Sequence, residues 1–284
     1  MELQYTPLET YTILLAAACH DIRHPGVNNN YQINKRTEVS LVYNDISVLE
    51  NMHASRASHL LEGIEDKNDP NCVMDPVGPN MMGNMTKDQQ KTFRSSMIRS
   101  ILYTDMSRHF SEVAKMERHV VKLEDEIEDE QATSTPPSSP TEIRFVSRVG
   151  GGNHVKLREK LLPFMLHLAD ISNPAKTHDV SVKWAECAYE EFFLQGDKEA
   201  AEDMPISPLC DRSTTHMPEA QVGFMRFVVK PAFELLARCV PTVGDVVVRQ
   251  LEENLKYWEE EKQREKRESL LGVAMDEEVK SNDD

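Results

Sequence analysis

The sequence predicts an all-α protein, and three observations carry that expectation. Apolar residues recur at helical spacing along most of the 284-residue chain, helix start and stop signals bracket those runs, and no segment alternates apolar and polar residues as a half-buried strand does. An apolar content of 39% suffices for a core in one large domain or two small ones.

Taken in order, residues 8–20 read as a buried helix, mostly apolar with Glu9 near its start, and Pro25-Gly26 stops any helical path soon after His20-Asp21. Residues 47–63, SVLENMHASRASHLLEG, set Val48, Leu49, Met52, Leu60 and Leu61 before a Gly63 stop, and put Glu50 and His53 three apart on one face. Residues 66–85 are rich in Asn, Asp, Pro, Gly and Met and read as a long loop, with the NMMGNM methionines as loop and lid packing. A helix, or a pair, runs from near Thr86 to about Leu123. Residues 124–153 pass from acids through Ser/Thr/Pro to glycines, the composition of a disordered insertion that does not pack. Helices are expected again at 154–169, 179–195, 218–239 and 243–262, and the charged residues after Trp258 read as a solvated helix end or frayed tail. The expected divisions are therefore 1–123, 124–153, 154–262 and a tail at 263–284.

The net charge of −16 is unevenly placed: residues 122–130 hold six acids against one base, and residues 251–284 hold twelve against six. Only about −5 is left for the remaining body, so the acidity speaks for solubility rather than for a ligand, and no nucleic-acid partner is expected. Five scattered cysteines without a CxxC pair indicate neither a disulfide framework nor a cysteine zinc site, which suits a reducing cytosol. The run ILLAAAC falls far short of the roughly 20 residues of a spanning helix, so this fragment is expected to make no membrane contact, although a longer parent could be tethered.

The chemistry-bearing residues lie at helix ends. An adjacent His20-Asp21 pair closes one apolar run, and Asp170 closes another, LPFMLHLAD, just before residues that stop a helix. In isolation such a pair is most often a cap with a hydrogen bond. An imidazole with two carboxylates is nevertheless the donor set that zinc together with a harder magnesium or manganese ion accepts. Gln221 and Phe224, three apart on a helix face, are ordinary core residues or a base-edge and stacking pair.

Six ordered blocks then carry a family resemblance: AAACHDIRHPGVNN, LVYNDISVLENMH, ILYTDMSRHF, LHLADISNPAK, EEFFLQGDKEA with ISPLCDR, and QVGFMRFVVKP. Spread over about residues 8–260, they resemble the catalytic domain of the class I 3′,5′-cyclic nucleotide phosphodiesterases. The resemblance implies a compact multi-helix fold of the HD type and hydrolysis of cyclic AMP, cyclic GMP or both to 5′-monophosphates. It implies two divalent ions, Zn2+ and Mg2+ or Mn2+, holding a bridging hydroxide. His20, Asp21 and Asp170 are then metal ligands, and His24, Glu50 and His53 are their orienting partners near the phosphate. Asn173, Gln221 and Phe224 fall in the purine pocket, where a rotatable Gln221 serves either base and Asn173 tilts the balance toward cyclic AMP. Ser181 and Ala188 stand where larger pocket residues are common, and Arg23 where an acid is common. Asp105 matches a family position and reads equally well as a helix polar residue, while His167 reads as a core hydrogen-bonding group.

The family's HNxxHAxDV element, which supplies a general-acid histidine and a first metal histidine ahead of the His-Asp pair, has no counterpart in the sequence, and residues 1–19 hold no histidine. The resemblance is therefore to a domain cut off at its N-terminal side and lacking its first helices, with impaired turnover, and with regulatory domains or a homodimer as expected company. Two other readings stay open at this point. One is a catalytically inactive module that binds cyclic nucleotide or a partner; the other is a different metal-dependent HD-type phosphohydrolase.

Overall fold

A computed structural model describes residues 5–64, 80–133 and 152–282. Helices dominate, and no strand occurs among the described residues. The chain forms two compact units, residues 1–170 with 199–205, and residues 171–198 with 206–284.

The first unit contains α1 (Pro7–Cys19), α2 (Asn29–Asn34), α3 (Glu38–Val42), α4 (Val48–Glu62), α5 (Lys87–Leu102), α6 (His109–Thr133) and α7 (Gly152–Asp170). Local chemistry sets their ends. Thr6 and Glu9 form a reciprocal capping box at the start of α1, with Pro7 in the first turn, and Thr86 and Gln89 do the same for α5. Gly63 closes α4 in the left-handed region at φ 66°, where a residue without Cβ is unstrained. The apolar faces of α1, α4, α5 and α7 meet in a core of Ala16, Cys19, Ala54, Ala57, Leu61, Phe93, Met97, Ile101 and Leu166, and Met82 plugs one side of it. With these helices packed on one core, the C-terminal end of α1 lies beside that of α7, His20 Nε2 being 3.2 Å from Asp170 Oδ1.

Two expectations need correcting. The acid run after Leu123 does not break the chain: α6 continues as helix through Thr133, because Glu, Gln and Ala are strong helix formers and Lys122 pairs with Glu126 one turn on at 3.8 Å. The rest of that expected insertion, 134–151, and most of the expected 66–85 loop, with Cys72, lie outside the described residues. The other correction is at the end of the chain, where helix extends well past residue 262.

The second unit begins with a 3₁₀ turn at Asn173–Ala175 and α8 (His178–Ala201), whose last residues are counted with the first unit. Then come α9 (Met217–Phe224), a π turn (Met225–Val229), α10 (Lys230–Cys239), α11 (Pro241–Val243), a second π turn (Gly244–Val248) and α12 (Arg249–Asn282). The single helix expected over 218–239 is thus interrupted by one wide turn. Pro231 explains it: its ring crowds the carbonyl of Phe227 and it has no N–H to offer, and the Lys230 N–H instead reaches back five residues to Met225. Leu251 and Trp258 of α12 are buried, as are Met225, Val229, Phe233 and Leu236. Asn254, 1% exposed, donates to the carbonyls of Pro174 at 2.7 Å and Lys176 at 2.8 Å, pinning the 173–175 turn to α12.

Gly196 allows the 206–213 loop to lie against α8. A Cβ at this position would sit 1.9 Å from the Cys210 carbonyl oxygen, a backbone atom with nowhere to go. The approach is sealed by Arg212, which forks onto Glu190 at 3.0 Å and reaches Asp197 at 3.0 Å while its guanidinium covers the Phe193 ring. Gly196→Ala is expected to lower stability in urea unfolding by about 3 kcal/mol through overpacking, whereas Gly223→Ala, whose Cβ would meet no atom within 4 Å, is expected to change it little.

Candidate functional site

In the first unit, His20 caps the end of α1 and Asp170 is the last residue of α7, so two remote helix ends present their side chains together. His20 Nδ1–H donates to the Ala17 carbonyl at 2.8 Å, which fixes the ring and leaves Nε2 facing the carboxylates. Nε2 lies 3.2 Å from Asp170 Oδ1 and 3.5 Å from Asp21 Oδ2. One donor atom from each of His20, Asp21 and Asp170 falls within 4.8 Å of the others. The hydrogen bond to Asp170, with the charge of both carboxylates behind it, holds the His20 pKa up at about 9 against its partial burial. The arrangement calls for positive charge, and a divalent ion on an Nδ1–H imidazole and two carboxylates meets that demand. The donor set therefore fits zinc or a harder partner ion.

The turn that follows, His20-Asp21-Ile22-Arg23-His24-Pro25-Gly26, is tight. Ile22 N–H returns to Cys19, His24 N–H to Asp21, and Arg23 sits at φ 66°. The Gly26 N–H donates to His24 Nδ1 at 3.2 Å, so the neutral His24 ring carries its proton on Nε2. The His24 and His53 rings lie 5.7 Å apart. His53, on α4, is 1% exposed with Nδ1 3.5 Å from Asp21 Oδ1, and burial keeps it neutral with its pKa lowered to about 4. Glu50, one turn earlier, is held by two bonds from Asn29 Nδ2 at 3.0 and 3.2 Å, while Asn29 Oδ1 accepts from Leu49 N–H. Burial nevertheless raises the Glu50 pKa. All six residues expected at the metal centre and its surround thus belong to one unit.

Asn29, Ser47, Asp105 and His109 complete the surround. Asn29 is the asparagine of the HDxxHPGxxN pattern, so its signal was present in the sequence. Ser47, in the left-handed region at φ 43°, donates its hydroxyl to buried Asp105 Oδ2 at 2.6 Å, while Asp105 Oδ1 accepts from Ser107 N–H, so one carboxylate oxygen holds a side chain and the other holds backbone. His109 and His167 share one hydrogen bond between Nδ1 and Nε2 at 2.8 Å inside the core.

The residues expected to meet the base are in the second unit. Gln221 is buried on α9, Phe224 is half-buried at its end, and Asn173 opens the 3₁₀ turn pinned by Asn254. The Gln221 amide hydrogen-bonds the hydroxyl of Tyr189 on α8, a partner that spacing in the sequence does not reveal. Ser181 is buried as well.

The helical scaffold gathers His20, Asp21 and Asp170, a donor set that could hold a metal ion, at two helix ends. The family model described as 3′5′-cyclic nucleotide phosphodiesterase matches residues 1–251, and the chain belongs to that family. Over 231 residues it is 37% identical to the mouse dual specificity calcium/calmodulin-dependent 3′,5′-cyclic nucleotide phosphodiesterase 1C, covering 81% of this chain and 27% of that protein. Over 264 residues it is 34% identical to isoform F of a Drosophila melanogaster 3′,5′-cyclic-AMP phosphodiesterase, covering 91% of this chain and 34% of that one. The chain thus spans about a quarter to a third of the length of these relatives. The crystal structure of the phosphodiesterase domain of the RhoPDE fusion protein from the choanoflagellate Salpingoeca rosetta superposes with a TM-score of 0.71 at 29% identity, over 93% of this chain and 72% of that one. The all-α fold expected from the sequence is the fold of this family's catalytic domains. Among the described residues no helix is long and apolar enough to cross a membrane.

His167, 1% exposed, is kept neutral by burial and by its His109 neighbour against the attraction of Asp170, Asp105 and Glu112, so its pKa falls to about 4. The unfolded chain takes up this proton near pH 6.5, well before the folded one. Stability is therefore full above pH 6.5 and drains as pH falls toward 4, by about 3 kcal/mol. Urea titrations across that window are expected to show a flatter dependence for His167→Gln than for the wild type.

Proposed function

We propose that the chain is the metal-binding and base-binding part of a 3′,5′-cyclic nucleotide phosphodiesterase, acting by a two-metal hydrolysis of cyclic AMP, cyclic GMP or both. The observation that carries the reading is the meeting of His20, Asp21 and Asp170, whose donor atoms converge although Asp170 is remote from the pair in sequence. These three residues would hold two divalent ions, Zn2+ with Mg2+ or Mn2+. When bound, such ions supply Lewis-acid stabilisation of phosphate charge and activation of water.

The chain's own residues prepare that site. His20 offers Nε2 because Ala17 holds the other nitrogen's proton. Asp21 also touches His53, which orients it. His24, protonated on Nε2, can donate to an anionic oxygen, and Glu50, fixed by Asn29, keeps a carboxylate in reserve beside this cluster. In the second unit Gln221 would meet the base edge, Phe224 its face, and Asn173 its rim. A cyclic nucleotide is the substrate that the family implies.

The chain contains no HNxxHAxDV element, hence no general-acid histidine of that kind and no first metal imidazole. By itself it should bind zinc less tightly than a domain carrying that element and turn over about 10²–10⁴ times more slowly. Equilibrium dialysis against Zn2+ and Mn2+ tests the metal reading directly. Wild type is expected to retain metal and Asp170→Asn to lose it by more than about 100-fold, beyond the 10–100-fold of an outer partner; equal retention by both sinks the assignment. Hydrolysis of cyclic AMP and cyclic GMP, measured beside nucleotide binding, separates a slow enzyme from a module that only binds.

A further inference from the structure

The second unit carries a charged cleft that neither the metal centre nor the base residues use. Along α12, Lys262, Lys266 and Ser269 follow one another at helical spacing and share a face. That face and the start of α9 wall a cleft of 530 Å³, which His216, Glu219 and Glu265 also line. Most of its charges are already matched. Lys262 holds Glu219 at 2.8 Å, and Glu265 faces His216 Nδ1 at 4.0 Å. Arg264 is committed on its own helix to Glu261 and Glu268. Lys266 and Arg267 make no ion pair among the described residues.

Ser269 is exposed, and so is every residue from 263 to 270, whereas Trp258 anchors the helix earlier by its burial. The stretch is held by its own helical hydrogen bonds and buries nothing, so it opens locally at small cost. A protein kinase needs such an opening, because it takes its substrate as an extended strand. Opened, the segment reads Lys266-Arg267-Glu268-Ser269-Leu270, with two cations two and three residues before a hydroxyl and an apolar residue after it. Kinases with acidic substrate grooves select that charge pattern.

We propose that Ser269 is a phosphorylation site for a protein kinase directed by basic residues, and that its phosphate docks on Lys266 and His216 and ties α12 to the start of α9. In the transfer, Ser269 Oγ bonds to the γ-phosphorus of ATP while the bond from that phosphorus to the β–γ bridging oxygen breaks. ADP leaves, and the hydroxyl proton passes to the kinase's catalytic aspartate. The new group carries about −1.5 to −2 charge and three acceptor oxygens. The cleft has room for it, since one water takes up only about 30 Å³. Lys266, one turn earlier on the same face, meets the phosphate first. At His216 a group of higher charge and three oxygens displaces the single Glu265 carboxylate, while Lys262 stays with Glu219. The tie forms whether or not Gln221 and Phe224, on the same α9, meet a base.

Two experiments on the full chain test the two halves. Incubated with ATP and a purified kinase that selects basic residues two and three before serine, the chain is expected to gain a phosphate located on Ser269 by fragmentation mass spectrometry. Ser269→Ala should lose that label, and Arg267→Ala, whose residue lies outside the cleft, should slow it by more than about tenfold. No phosphate on Ser269, or an unchanged rate in Arg267→Ala, overturns the site. For the docking, phosphoserine is installed at 269 by codon reassignment and followed by phosphorus NMR. Its second pKa should fall below the usual value of about 6, because neighbouring cations favour the dianion, and Lys266→Ala should bring it back up. Hydrogen exchange at Ala220, whose N–H returns to the His216 carbonyl at 3.0 Å, should slow by about tenfold, the worth of one charged hydrogen bond. A second pKa above about 6 means that Glu265 and Glu268 govern the phosphate instead and overturns the docking. Unchanged exchange at Ala220, or a pKa indifferent to Lys266→Ala, does the same.

Discussion

Two carboxylates and two helix C-termini meet at one imidazole, and that concentration of negative charge is the constraint around which the first unit is built. The last carbonyls of α1 and α7 each add a partial negative charge to those of Asp21 and Asp170. Such a site attracts a cation. His20 meets the demand with a proton when nothing else is bound, which is why its pKa is drawn so far upward. The core shared by α1, α4, α5 and α7 serves the same end, since it holds together the helices whose ends carry His20 and Asp170.

Around this centre the polar groups are committed to holding one another. Ala17 fixes His20, Gly26 fixes the His24 tautomer, Asn29 bridges Glu50 to the start of α4, and Asp105 ties down the Ser47 turn. Some of these bonds are local, joining a side chain to backbone two or three residues away, and others tie remote segments together, as from Ser47 to Asp105. Tyr31 and Lys35 of α2 extend the pattern by gripping Glu202, which secures the 199–205 segment to the rest of the unit.

Much of the fold was legible because it is written locally. Thr6 and Glu9, Thr86 and Gln89, and Gly63 announce helix ends through neighbours in sequence, and the His20-Asp21 and Asp170 termini could be read the same way. What escaped depends on approach between distant segments. Nothing near Gly196 tells that the Cys210 carbonyl will lie against it, and nothing near Tyr189 or His109 names Gln221 or His167 as partners. The acid run after Leu123 failed for another reason: its composition suits both a solvated coil and a solvated helix, and helix propensity decided the outcome.

The wide turn at Met225–Val229 has a bearing on how this protein could change over time. An added residue in a helix rotates everything beyond it by about 100°, so the face bearing Gln221 and Phe224 and the face bearing Phe233 and Leu236 are phased independently although one rod carries both. Drift in the packing of α10 can be absorbed at the loosened turn before it reaches α9. The two faces can therefore evolve at different rates along a single continuous backbone.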